Sequence, residues 1–410
     1  MRVLQDHDLP ETLRLAQLAF ETGYAQVEVV TQYAHLLARS GRKADMERLL
    51  ASLPAKAMTP DRRASLLVTS RNVAGEHQEA WTTWLGHPEL DADPAPELLR
   101  AVAASALAVG RVAEAKVLTR RGLEAATTDG LRCEFLSILS LIAYHEGDAA
   151  GANEHIGQAL ALLSTLHAPR LRATALVNRA AYLRMLGDYE GMESCLEECL
   201  RIRQGVGEGM SYAFALASLA DLRIEQGRLE EAEDMVTEAI TTLELYGPSR
   251  YLNNTRSIAC LLGLAQATPL SRLTALKHGE QALAAARAVG NPRAVRELLF
   301  DASLANTATG NAERGLALAK ESLALADATG NAPTDAYRTL WALALAREAL
   351  GEASVALELL LQAEAIAGDT EGAVDFHKVG LEIARIRGDV EAARDHQAWF
   401  EARDLLSGAT

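Results

Sequence analysis

The chain has 410 residues, is 49% hydrophobic but only 5% aromatic, and carries a formal net charge of −15. So acidic a surface repels phosphate backbones, which argues against direct binding of nucleic acid by this chain. The opening MRVLQDHDLP lacks the charged-then-apolar order of a secretion signal, and no apolar run reaches membrane-spanning length, so no membrane association and a cytoplasmic location are expected.

Along the chain apolar residues recur at spacings of three and four, as at Leu216, Leu219 and Ala220, while alternating strand patterns are absent; nearly every segment reads as helix. Turn glycines punctuate these helices at Gly41, Gly75, Gly110, Gly147, Gly187 and Gly227, then at a degenerate turn near Leu270, then at Gly310, Gly351 and Gly388. Their spacings run from 34 to 43 residues. Length alone would allow two or three globular domains, but a recurring period of this size means stacked helical hairpins, each burying its apolar face on the next. Prolines fall at helix edges (Pro54, Pro60, Pro88, Pro94, Pro96, Pro169, Pro248, Pro292 and Pro333), Pro269 lies in the degenerate turn, and Gly290 and Gly330 mark further helix ends.

Residues 1–96 read as divergent helical repeats, with Met46 and Trp84 where later repeats carry smaller or different packing residues. Trp81 and Trp84, three apart on one helix, are expected in a core. The proline-rich segment GHPELDADPAPE, residues 86–97, reads as a long inter-helix loop, with a subdomain boundary as the alternative. Residues 97–410 form the main repeat array with capping helices at its C-terminal end. The clearest repeat is residues 175–202, in which Ala180 sits at the helix crossing, Gly187-Asp188 makes the turn, and Met192, Leu196 and Cys199 face back inward. Glycine is followed five residues later by alanine at Gly110/Ala115, Gly147/Ala152, Gly227/Ala232 and Gly351/Ala356, where a larger side chain would push the two helices apart. The cluster Gly205-Val-Gly-Glu-Gly209 follows a helix and precedes no lysine, so it reads as an inter-repeat loop and not a phosphate cradle. Cys133, Cys195, Cys199 and Cys260 show no zinc or redox spacing and are expected as small core residues. Trp399 and Phe400 are expected to cover the end of the array.

Leu219, Ala220, Gly227, Ala232 and Ala239, and the matching Leu139, Gly147, Ala152 and Ala159, make the chain resemble the tetratricopeptide repeat family. The near-forty period, with Asn178 ahead of Ala180, is similar to the longer-helix variety found in bacterial MalT-like and Rap-like regulators. The resemblance implies an all-α, right-handed α-α superhelix of about ten helical hairpins, with the first helix of each pair lining a concave groove. Projecting the repeat offsets onto that groove gives Glu134, Tyr144, His145, Asn178, Arg184, Asp221, Glu225, Arg338, Trp341, Lys378 and Arg385 as polar candidates. The segment SRYLNNTRS adds Arg250, Tyr251, Asn253, Asn254 and Arg256 at an inter-repeat junction, which reads as a contact patch or as a capped helix start.

No nucleophile motif, no paired metal-binding histidines and no cofactor fingerprint occur, so neither a catalytic site, a metal nor a cofactor is expected. The expected function is a non-enzymatic scaffold that takes a protein or peptide in the groove, acting as a cytoplasmic regulatory adaptor. The alternative is the ligand-sensing or oligomerisation part of a bacterial transcription regulator whose DNA-binding element lies outside this chain. Homodimerisation through the imperfect N-terminal repeats is a further expectation.

Overall fold

The computed structural model describes residues 43–52, 59–73, 76–91, 94–289, 292–326, 333–368 and 374–405, together with Arg14, Leu18, Tyr33 and Leu37. The turn positions Gly41, Gly75, Gly290 and Gly330, and Pro54, lie outside the described residues. Among the described residues there is no strand. The helices are α1 (Lys43–Ser52), α2 (Pro60–Val73), α3 (His77–Leu85), α4 (Pro96–Ala108), α5 (Val112–Ala125), α6 (Asp129–His145), α7 (Ala149–Leu163), α8 (Pro169–Met185), α9 (Tyr189–Gly205), α10 (Gly209–Glu225), α11 (Leu229–Glu244), α12 (Arg250–Gln266), α13 (Pro269–Val289), α14 (Pro292–Ala308), α15 (Ala312–Ala324), α16 (Pro333–Ala349), α17 (Ala353–Ala367), α18 (Val374–Arg387) and α19 (Val390–Glu401). They fall into two compact units, Met1–Arg179 with Gly205–Gly207, and Ala180–Gln204 with Glu208–Thr410.

One turn design closes most first helices. At the end of α10, Gly227 adopts φ 73°, a left-handed conformation that side chains resist, and the Arg228 N–H reaches back 2.8 Å to the Arg223 carbonyl. Gly110, Gly147, Gly187, Gly310, Gly351 and Gly388 repeat it, with φ between 68° and 86°. In three of these turns the next residue caps the second helix: Asp148, Asp188 and Asp389 accept from the N–H groups of Gly151, Gly191 and Ala392 at 2.8, 2.9 and 3.0 Å. The degenerate turn is made differently. Ala267 takes the left-handed position (φ 56°), Thr268 accepts from the Ser271 N–H at 3.1 Å, and Pro269 opens α13.

Small residues set how closely paired helices approach. Ala115, Ala152, Ala232 and Ala356 are fully buried at the crossings. Gly315 of α15 takes the same place, with the Ser303 hydroxyl donating to its carbonyl at 2.8 Å. In the degenerate hairpin Gly263 does this: a Cβ there would stand 2.5 Å from the Ser271 carbonyl oxygen. In the first unit one apolar core runs from Ala64 and Val68 through Trp81, Trp84, Leu98 and Val102 to Phe135 and Ile142. It continues across the proline-rich segment, where Pro88–Asp91 forms a 3-10 turn. Met46 is buried as well. In the second unit the core is a succession of smaller clusters, one around Leu216, Ala239 and Leu243, another around Leu299 and Leu318, a third around Leu360 and Val379. At its C-terminal end Phe400 is buried and Trp399 stacks on His377 with centroids 4.0 Å apart. All four cysteines are buried free thiols, and burial pushes the Cys133 thiol up to about 11, which keeps it unreactive.

Two substitutions test this account in thermal or denaturant melts. Gly263→Ala forces a methyl against backbone and should cost about 1–3 kcal/mol. Ala267→Gly relieves a left-handed alanine and should gain about 0.5–1 kcal/mol, after the extra chain entropy of glycine is subtracted.

Candidate functional site

Successive first helices of the second unit carry polar side chains that act on one another: Arg184 on α8, Asp221 and Glu225 on α10, Ser257 on α12, Asp301 on α14, Tyr337 and Arg338 on α16, and Asp375 and Lys378 on α18. Helical periodicity places them there. Asp221 and Glu225, four residues apart, share a face of α10, while Leu216, Ala217 and Ala220 supply its packing. Asp301 is embedded in the apolar run Leu298-Leu299-Phe300-Asp301-Ala302.

Ion pairs between neighbouring hairpins hold the set. The Arg184 guanidinium donates from Nε to Glu225 Oε1 at 3.0 Å and from Nη2 to the same oxygen. Glu225 is only 4% exposed, and its other oxygen, Oε2, is buried without a hydrogen-bond donor. Arg338 donates from Nε and Nη2 to Asp375 Oδ2 at 3.1 and 2.8 Å, and the Tyr337 hydroxyl donates to that oxygen at 2.9 Å. Burial alone would raise the Asp375 carboxyl, but the charges of Arg338, Arg184 and Lys378 outweigh it and hold the group well below the carboxylate range. Ser257 donates its hydroxyl to Asp301 Oδ2. Burial pushes the Asp301 carboxyl up to about 7, with Ser257 and Arg338 opposing and the charges of Asp221 and Glu297 adding to the rise. The Arg338 guanidinium lies 5.5 Å from the centre of the Phe300 ring, which packs on Trp341 at 5.6 Å.

Several polar groups here have bonding capacity left over. Asp221 and Lys378 form no hydrogen bond or ion pair with the described residues, although their charges act on Glu225. The Trp341 indole Nε1 is buried without a partner. Among the described residues no group of three or more histidine, cysteine, aspartate or glutamate side chains could hold a metal ion, and no helix is long and apolar enough to cross a membrane.

Arg184, Asp221 and Arg338 therefore come together in one charged interior, with Trp341 bordering it through Phe300. Other sequence candidates lie elsewhere. On α6 Glu134 pairs with Arg100 at 3.1 Å, and Tyr144 meets His145 edge-on at 5.6 Å. Asn178 is half-buried in the part of α8 that belongs to the first unit. The start of α12 is a capped helix: Ser249 accepts from the Leu252 N–H at 3.2 Å, and the Tyr251 ring packs on Phe214 at 4.9 Å with the exposed Arg250 over it. Asn253 is half-buried and Asn254 exposed. Arg256 pairs with Glu244 at 3.1 Å, and Arg385 with Glu348 at 2.6 Å. Sequence reading missed Ser257, Asp301, Tyr337 and Asp375. The available signal was an acid inside an otherwise apolar helical run, plainest at Asp301.

The two buried aspartates predict opposite pH behaviour. Asp301 titrates higher in the fold than in the open chain, so its folding contribution is complete below the ordinary carboxylate range and is lost as pH rises towards 7. Asp301→Asn should therefore raise the melting temperature at pH 8, by at most roughly 4 kcal/mol in stability, and the gain should fade below about pH 4. Asp375 titrates lower, so its contribution is complete above that range and is lost on acidification; Asp375→Asn should destabilise at neutral pH. Melts from pH 4 to 8 check both.

Residues 171–244 match the family model described as Tetratricopeptide repeat. No curated protein matches the chain. Among solved structures, a Rap protein complexed with Competence and Sporulation Factor is similar at 12% identity and a TM-score of 0.56, over 75% of this chain and 87% of that one. The Rap conjugation gene regulator of plasmid pLS20, in complex with the Phr* peptide, is similar at 12% identity and a TM-score of 0.54, over 97% and 95%. NprR in complex with its cognate peptide NprX is similar at 10% identity and a TM-score of 0.55, over 84% and 98%. At such identities the likeness is one of fold. Residues 171–244 thus carry the tetratricopeptide-repeat signature, and the rest of the array shares the fold of these helical-repeat structures.

Proposed function

We propose that the chain is a non-enzymatic module that binds a peptide or an extended protein segment in the charged interior of its second unit. The observation that carries this reading is the unused bonding capacity there: the unpaired charges of Asp221 and Lys378, with Glu225 Oε2 and Trp341 Nε1 buried without partners. An extended peptide supplies donors and acceptors at regular intervals and suits such a row of separated polar groups. Ion pairing supports binding over catalysis. Glu225 and Asp375 are engaged with Arg184 and Arg338 as positioning pairs. Three proteins of similar fold were solved with a factor or peptide bound, which supports the same class of ligand. The setting we propose is a bacterial cytoplasmic regulator that does not itself bind nucleic acid.

A second reading is favoured by one neighbour being a conjugation gene regulator: the chain is the sensory or oligomerisation part of a regulator whose DNA-binding element lies outside it. Self-association through the N-terminal repeats belongs to either reading, and sedimentation at several concentrations tests it.

Capture from a native extract, with bound proteins, peptides and small molecules identified by mass spectrometry, is the direct test. Lys378→Met removes a charge that holds no ion pair, so the chain should still melt cooperatively, with only the small loss that follows from one cation fewer near Asp375 and Glu225, while affinity for the captured peptide falls on the order of tenfold. Undiminished capture by this variant would place the binding surface elsewhere, and exclusive recovery of a small molecule or of a DNA-binding protein would move the weight to the sensory reading.

A further inference from the structure

The contact between α18 and α19, at the C-terminal end of the second unit, is built around two imidazoles. His377 on α18 and His396 on α19, 19 residues apart in the chain, face each other with their Nδ1 atoms 3.0 Å apart. Both rings are held in place. Trp399 stacks on His377 with centroids 4.0 Å apart and nearly parallel planes, and the Arg403 guanidinium lies 4.2 Å from the centre of the Trp399 ring. Phe376 meets the two imidazoles edge-on, at 5.1 and 6.0 Å. His396 also lies so close to the α18 backbone that a Cβ at Gly380 would collide with its ring. A glycine inside a helix weakens it, and here its bare backbone makes room for the imidazole.

We propose that His377 and His396 form a two-imidazole site for a divalent transition ion of the Zn2+ or Ni2+ kind, which ties α19 to α18. The proposal is independent of the peptide-binding reading. Imidazole nitrogen is a favoured ligand of these ions. Two nitrogens bound at about 2.0–2.1 Å to one ion, at angles between square and tetrahedral, stand about 2.9–3.4 Å apart. The 3.0 Å separation falls inside that interval. Without an ion, one ring carries its proton on Nδ1 and donates it to the other. Moving that proton to the same ring's Nε2 leaves two lone pairs aimed into one space, and the neutral pair loses no net proton. Both rings are half-buried, so an ion reaches them from solvent. Among the described residues no third histidine, cysteine, aspartate or glutamate joins the pair, and water completes the coordination shell. An ion held by one nitrogen from each helix exists only in the folded chain and therefore stabilises it.

The test uses the full, untagged chain, stripped with EDTA and dialysed. Calorimetric titration with Zn2+ should show one equivalent bound per chain, and excess Zn2+ should raise the melting temperature. Loss of an outer-sphere partner alone costs a metal site about 10–100-fold in affinity, so His377→Asn and His396→Asn, which each remove a ligand, should lower Zn2+ affinity by more than about tenfold. His167→Asn, at an exposed histidine of the first unit, should leave it unchanged. If a variant fails to fold, modification of the unaltered chain by diethyl pyrocarbonate decides: Zn2+ should shield His377 and His396, located by mass spectrometry, and leave His167 reactive. Absence of stoichiometric Zn2+ uptake overturns the site and leaves a hydrogen-bonded imidazole pair. Uptake that survives both substitutions, or Zn2+ that shields neither histidine of the pair, also overturns it.

Discussion

The close crossing of paired helices over small residues is the constraint on which the rest of the structure depends. Ala115, Ala152, Ala232 and Ala356 are buried to completion, and Gly263 and Gly315 take the same role where a methyl group would strike the Ser271 carbonyl and the Thr307 hydroxyl respectively. Helices in such contact gain dispersion along their whole length, and a chain with so few aromatics needs that gain. The turns serve the same end. A left-handed glycine ends the first helix abruptly, so the second can start at once and lie flat against it. Where the glycine is missing, Ala267 is held in the same conformation and Gly263 moves the small residue onto the other helix.

First helices of the second unit also carry acids among their packing residues. Asp221 is half-buried there, and Glu225, Asp301 and Asp375 are nearly withdrawn from water. Withdrawn charges need partners, and the partners come from other hairpins: Arg184 reaches from α8 to α10, and Arg338 from α16 to α18. The pairs tie repeats together and fix their guanidinium groups, while Asp221 and Lys378 are left without an ion pair among the described residues. The same desolvation separates the acids. Asp375, surrounded by cations, stays ionised far into the acid range, whereas Asp301, with one hydroxyl donor and acidic neighbours, is half-protonated near neutrality.

Much of the fold was legible in the chain because its determinants are local. Turn geometry depends on glycine, helix starts on proline or a short polar cap, and the crossing on a small residue five positions after the turn. The degenerate turn was legible only as an irregularity, since nothing in the sequence around Leu270 says that an alanine takes the left-handed position. The site was less legible. Projecting repeat offsets selected Arg184, Asp221, Glu225, Arg338 and Lys378, whose charges act on one another in the fold, and also Glu134, which pairs with Arg100 elsewhere. The segment around Tyr251 looked dense in hydrogen-bonding groups, yet Tyr251 packs on Phe214 and Ser249 caps a helix.

The sequence by itself determined the all-helical repeat, its period, its turns and the apolar composition of its crossings, because each is a relation between residues at most a few turns apart. Tertiary structure alone decided which charges meet. Arg184 and Glu225 are 41 residues apart, Arg338 and Asp375 are 37, and Ser257 and Asp301 are 44, so their pairing follows from how successive hairpins stack. Only after stacking does burial raise Asp301, do neighbouring cations lower Asp375 against that same burial, and is Asp221 left without a partner, and those differences give the interior its chemistry.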